Sequence, residues 1–150
     1  MIRKNIIFLS LIFFLTNCGF TPVYLKNTNV NFSVEQVNYT GDRELNNFLK
    51  INLNKLKNEK NDNKIYIEAN SIYKKIVLTK DSAGEATNYQ LEAEVIFLIK
   101  PINKKVKIIE KKIMNSMDDK FEEARQERTI KQSFASSIFG KLMSEININL

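Results

Sequence analysis

The stretch 88–99 constrains this chain more than any other. Tyr89, Leu91, Ala93, Val95, Phe97 and Ile99 fall on one parity, and Asn88, Gln90, Glu92 and Glu94 on the other. A period of two marks a strand with one face on a core and the other towards water. Such a strand needs neighbours in a sheet and a layer against its apolar face. The flanking sequence offers both. Val30, Phe32 and Val34 alternate as a first strand. Gly41-Asp42 is a turn whose carboxylate can cap a helix, and Leu45, Phe48, Leu49, Leu53 and Leu56 then recur at helical spacing through about residue 58. In the β-branched stretch 65–79, Ile65, Ile67 and Ala69 share a face before the pattern slips to Ile72, Ile76 and Leu78, which predicts a bulge or kink. Residues 80–86 and 100–105 read as turns, and 106–114 as a further strand. Asp118 and Asp119 place acid at the start of a last helix, where the dipole favours it. Its apolar stripe is Phe121, Ala124, Ile130, Phe134, Ile138, Leu142 and Ile146, widened by Ala135, Phe139 and Met143. The order β-α-β-β-β-α predicts an α+β fold, a two-layer sandwich with a four-stranded sheet and two amphipathic helices on one face.

Composition then removes whole classes of chemistry. The chain has no His and one Cys in 150 residues, so a His-based triad, a His-ligated metal, a thiolate zinc cluster and an internal disulfide are all excluded. Its 43% hydrophobic content is too high for a disordered chain. The glycines form neither a phosphate-cradling loop nor a dinucleotide fingerprint. Glu92 and Glu94 share the polar face of their strand, but carboxylates there read as a solvated sheet face rather than an acid/base pair. Glu122, Glu123, Glu127, Arg125 and Arg128 form a charge-rich helical turn, read as solvation with weak side-chain pairing. The expectation is a protein that is not an enzyme, with no catalytic residues, no metal and no bound cofactor.

The N-terminus carries a different signal. Arg3 and Lys4 precede an apolar run over residues 6–15, interrupted only by Ser10. Ten helical residues reach about 15 Å, half of a ~30 Å hydrocarbon core, so the run is too short to span a bilayer and suits a secretory signal better than a buried helix. Leu15-Thr16-Asn17-Cys18 follows, and it resembles a bacterial lipobox. The resemblance implies a signal peptide over residues 1–17, cleaved after Asn17, and a single lipoprotein domain over 18–150. It also implies a diacylglycerol and an N-acyl lipid attached covalently at Cys18. Asn17 departs from the small residue usual before the Cys. Gly19, rather than Asp, after Cys18 resembles lipoproteins sent to the outer membrane. Two or three acyl chains anchor stably where one would not.

Loss of Arg3 and Lys4 with the leader lowers the formal charge from +6 to +4. The excess of Lys and Asn with few Arg also resembles translation of an AT-rich genome, which accounts for part of the basic character. Lys74, Lys75 and Lys80 flank one turn, and Lys100, Lys104, Lys105 and Lys107 the next. They read either as solvating lysines that protect strand ends, or as contacts for an anionic ligand. For an exported lipoprotein a phosphorylated glycolipid suits the second reading better than nucleic acid.

Cys18-Gly19-Phe20-Thr21-Pro22-Val23-Tyr24 resembles the start of mature lipopolysaccharide-assembly lipoproteins, the LptE family. The turn and strand over 82–91 and the Glu/Arg/Ala-rich helix over 122–142 resemble the same family at the level of pattern, as does the element order. The resemblance implies a lipoprotein in the cell outer membrane, within the lumen of an LptD-type β-barrel. There it would plug the barrel and assist its assembly for insertion of lipopolysaccharide into the outer leaflet. It also implies direct contact with lipopolysaccharide, for which Lys74, Lys75 and Lys80 are the candidate residues. The alternative is a periplasmic accessory lipoprotein of a phospholipid transport system, which would need a lipid-sized apolar groove between helices and sheet.

Overall fold

The computed structural model describes residues 32–147. Leu15, Thr16, Asn17, Cys18, Val30 and the heptapeptide 18–24 lie outside the described residues. Strand β1 (Ser33–Gly41) leads through helix α1 (Arg43–Leu53) and a 3-10 turn (Asn54–Leu56) to β2 (Lys64–Lys80), β3 (Ala86–Lys100), β4 (Lys104–Asn115) and helix α2 (Lys120–Asn147). The sheet order is β1-β2-β3-β4, with β1 parallel to β2 and the other pairs antiparallel. The expected α+β architecture is the one found.

Parallel β1 and β2 need a crossover, and α1 supplies it. The Asp42 carboxylate accepts from the Leu45 amide at 2.7 Å and caps the helix, as its position after Gly41 predicts. Gly41 is required for a second reason. Its φ is +93°, and a Cβ there would sit 1.8 Å from the Ser71 carbonyl oxygen. Leu45, Leu49, Leu53 and Leu56 are buried, while Phe48 packs against them half-buried.

The apolar parity of β3 is the floor of the core: Leu91, Ala93, Val95, Phe97 and Ile99 are fully buried. Ile65, Ile67 and Ala69 of β2, with Phe32 and Val34, continue it. A register shift between Val34 and Gln36, not anticipated from the sequence, keeps Val37 and Tyr39 packed on the same face. The bulge expected between Ala69 and Ile72 does not form. Pairing of β2 with β3 is regular from Tyr66 to Val77 and shifts only around Thr79. The inward series runs on through Ser71, Tyr73 and Lys75, and Ile72, Ile76 and Leu78 instead emerge on the outer face of the sheet. Ser71 is polar yet fits the core because its hydroxyl donates to the Thr40 and Asp42 carbonyls, both at 3.3 Å.

Helix α2 lies over β3 and β4 beside α1. Asp119 caps it, accepting from the Phe121 amide at 2.8 Å. Ile130, Phe134, Ala135, Ile138, Leu142 and Ile146 are buried as expected. The first turn corrects the predicted stripe. Phe121 is 75% exposed and Ala124 is exposed, whereas Glu123 faces inward at 5%.

Candidate functional site

Lys74, Lys75 and Lys80 flank the β2–β3 turn, but the sheet separates them. Successive strand residues point to opposite faces. Lys74 therefore stands on the outer face, across from Glu92, and Lys80 is exposed at the end of β2. The turn itself is well braced. The Asp81 carboxylate accepts from the Ala83 and Glu85 amides at 2.9 Å each, and Gly84 takes a φ of +85°.

Lys75 points the other way, under the start of α2. Its ammonium reaches Glu123 at 2.8 Å and Glu127 at 3.0 Å, and sits 4.2 Å from the centre of the Tyr89 ring. The other oxygen of Glu123 accepts from the Met117 amide at 3.0 Å, the Ser116 hydroxyl at 3.1 Å and Lys120 at 3.1 Å. The Lys75 hydrogen bond, followed by the Met117 amide, holds the Glu123 carboxyl down at about 2 against an ordinary 4.5. For Lys75, burial opposes the charge, but the bonds to Glu123 and Glu127 outweigh it and raise the ammonium above its ordinary value. Tyr73 donates to Glu127 at 2.9 Å and is held neutral by burial and by that carboxylate. Lys131 lies 4.0 Å over the Tyr73 ring and pairs with Glu44 of α1 at 2.9 Å. Together these groups form a polar clasp joining α1, β2 and α2. Its charges are mutually satisfied, so its chemistry is structural.

The sequence reading treated Glu123 and Glu127 as solvated. Counting back from Ile130 along the buried stripe in steps of three and four reaches both residues, and that spacing was the available signal.

The outer face of the sheet is mixed rather than polar. Glu92 pairs with Lys111 and Glu94 with Lys107, both at 2.9 Å. The Lys111 hydrogen bond lowers the Glu92 carboxyl. Between these pairs Ile72, Ile76, Ile109 and Ile113 are between 39% and 63% exposed. Each carboxylate thus has a lysine beside it rather than a second carboxyl, which suits neither acid/base catalysis nor a cation. Among the described residues no three metal-ligating side chains cluster. Also among them, no helix is long and apolar enough to cross a membrane.

These features define a small α+β sandwich in which the carboxylates of the clasp and of the outer sheet face are paired with lysines. No family model and no curated protein matches the chain. Its fold does match solved structures. The crystal structure of the rare lipoprotein B from Shewanella oneidensis is similar with a TM-score of 0.52 at 17% identity, covering 77% of this chain and 99% of that one. The solution structure of an uncharacterized lipoprotein B from Nitrosomonas europaea gives 0.53 at 14% identity, covering 81% and 90%. A minor lipoprotein from Acinetobacter baumannii gives 0.51 at 11%, covering 73% and 93%. At these identities the likeness is one of fold.

Proposed function

We propose that this chain is an outer-membrane lipoprotein of the LptE type, anchored through acyl chains on Cys18. In this reading it plugs an LptD-type β-barrel and assists its assembly for lipopolysaccharide insertion. The observation that carries it is the fold, shared over nearly the whole length of a rare lipoprotein B. The lipobox-like Leu15-Thr16-Asn17-Cys18 and the family-like heptapeptide after it add independent support. The role is that of a scaffold and partner rather than a catalyst. A plug in a polar lumen suits a sheet face on which lysine–glutamate pairs are interspersed with isoleucines.

Contact with lipopolysaccharide falls to Lys74 and Lys80. Lys75 belongs to the clasp, and its reversal would test folding rather than binding. The phospholipid-carrier alternative receives no support from the interlayer space, where side chains from both helices and the sheet are fully buried against one another. The deciding experiment is purification of the lipidated protein from solubilised membranes of its native host. A large β-barrel should be recovered in equal amount. Recovery of the lipoprotein alone, under conditions that keep such complexes intact, would overturn the reading.

A further inference from the structure

The two edges of the sheet are built differently. β1 is short and bulged between Val34 and Gln36, a device that discourages further pairing. β4 has neither property. It pairs with β3 without a register shift from Lys104 to Asn115 and is the last strand of the sheet. Its outward backbone groups are a template for one more strand. A groove of about 390 Å³ runs along this edge, lined by four consecutive strand residues, Val106 to Ile109, and by Lys141, Ser144 and Glu145 of α2, the last of them paired with Lys104 at 3.0 Å.

The side chains select what can fill that edge. β4 carries Lys104, Lys105, Lys107, Lys111 and Lys112 against one acid, Glu110. Lys104, Lys107 and Lys111 each reach an acid on one side, Glu145, Glu94 and Glu92. An acid on an added strand would flank the exposed Lys107 and Lys111 from the other. Glu110 is itself held by Lys141 at 2.7 Å and Ser137 at 2.6 Å. A second copy of the chain added through its own β4 would set lysine against lysine, which is destabilising. An acidic strand would meet complementary charge. The lysines on the outer face are Lys105, Lys107 and Lys111, so acids are wanted on that parity. The opposite parity would face Val106, Ile108 and Ser144 around the groove, which favours small or β-branched residues there, with Lys104 at one end of the strand and Glu110 and Lys112 towards the other.

We propose that the β4 edge accepts an extended segment of a partner protein, alternating acidic residues with valine or threonine, by strand addition. The inference does not rest on the barrel reading, since it concerns an edge that any exported partner could use. The test uses the full-length chain and an alternating Glu/Val/Thr peptide of about ten residues, the length of a long strand. Two controls accompany it: the same peptide with Lys for Glu, and the acidic peptide N-methylated at alternate residues to remove its pairing donors. The acidic peptide should bind and slow amide exchange along β4, while both controls should bind at least about tenfold more weakly. Replacing Lys105 and Lys111 together with Ser, which removes two of the three outer-face lysines, should also weaken the acidic peptide. Three results would overturn the proposal: no binding of the acidic peptide, equal binding of the N-methylated peptide, or protection appearing away from β4. Equal N-methylated binding would mean charge attraction without strand pairing.

Discussion

The two halves of β2 share one strand and one neighbour but are held by different forces. From Lys64 to Ser71 the strand is flanked by both β1 and β3, and Ile65, Ile67 and Ala69 are buried in the apolar core. Beyond Ser71 its partner β1 has ended. The inward residues become Tyr73 and Lys75, whose polar ends are met by Glu123, Glu127 and Lys131 of α2 at the margin of the apolar core. Ile72 and Ile76 of that half turn outwards instead. A long strand can thus leave the hydrophobic core without fraying, provided that another element brings enough matched polar partners to it.

Substitutions can break this contrast, and their effects should fall in order along the strand. Phe97 stands opposite Ala69 in the apolar half. Phe97→Ala should lower stability by about 4 kcal/mol in denaturant unfolding, through lost burial and a cavity. Gly41 lies at the boundary, opposite Ser71. Gly41→Ala should cost about 3 kcal/mol, because backbone must move away from the new methyl group. A loss below ~0.5 kcal/mol would show that the crossover relaxes freely.

The polar half is probed by Glu123→Gln, which keeps the shape and removes the charge. The expected loss is about 2 kcal/mol at neutral pH, since Lys75 is left half-satisfied. The sign of the pH dependence follows from the depressed carboxyl. Its contribution is fully present above about 4.5 and is lost as pH falls towards about 2. Thermal unfolding followed from pH 5 downwards should therefore show a shallower decline in the variant than in the parent. Parallel declines would mean that Glu123 is not what links α2 to β2. The smallest effect is expected on the outer face, where Ile76→Thr should change stability by no more than ~0.5 kcal/mol.

How much was legible in the sequence follows the same division. β3 could be read because its parity is apolar without exception from Tyr89 to Ile99, and the fold class followed from that strand and its flanks. β2 was misread after Ala69 because both of its faces carry isoleucine, so hydrophobicity no longer reports burial. At Ser71, Tyr73 and Lys75 the inward positions are polar, and what makes them inward is a helix some fifty residues later in the chain. A periodicity argument carries no information about such partners. The same holds for Lys74, Lys75 and Lys80, which sequence proximity grouped and strand parity separates. The lipobox-like segment is legible for the opposite reason: it is a local signal that needs no tertiary partner.

Helix α2 covers β3 and β4, and it is synthesised after both. Every strand precedes it. Until its 28 residues emerge, the floor formed by Leu91, Val95 and Phe97 lacks its largest cover. A chain that crosses a membrane amino-terminus first would therefore remain sticky until α2 arrives. Losing even the final turns would remove Leu142 and Ile146 from the core. Emergence of α2 and concealment of the apolar surface beneath it are thus one event, which gives a quality-control system a plain criterion for discarding copies that lack the helix.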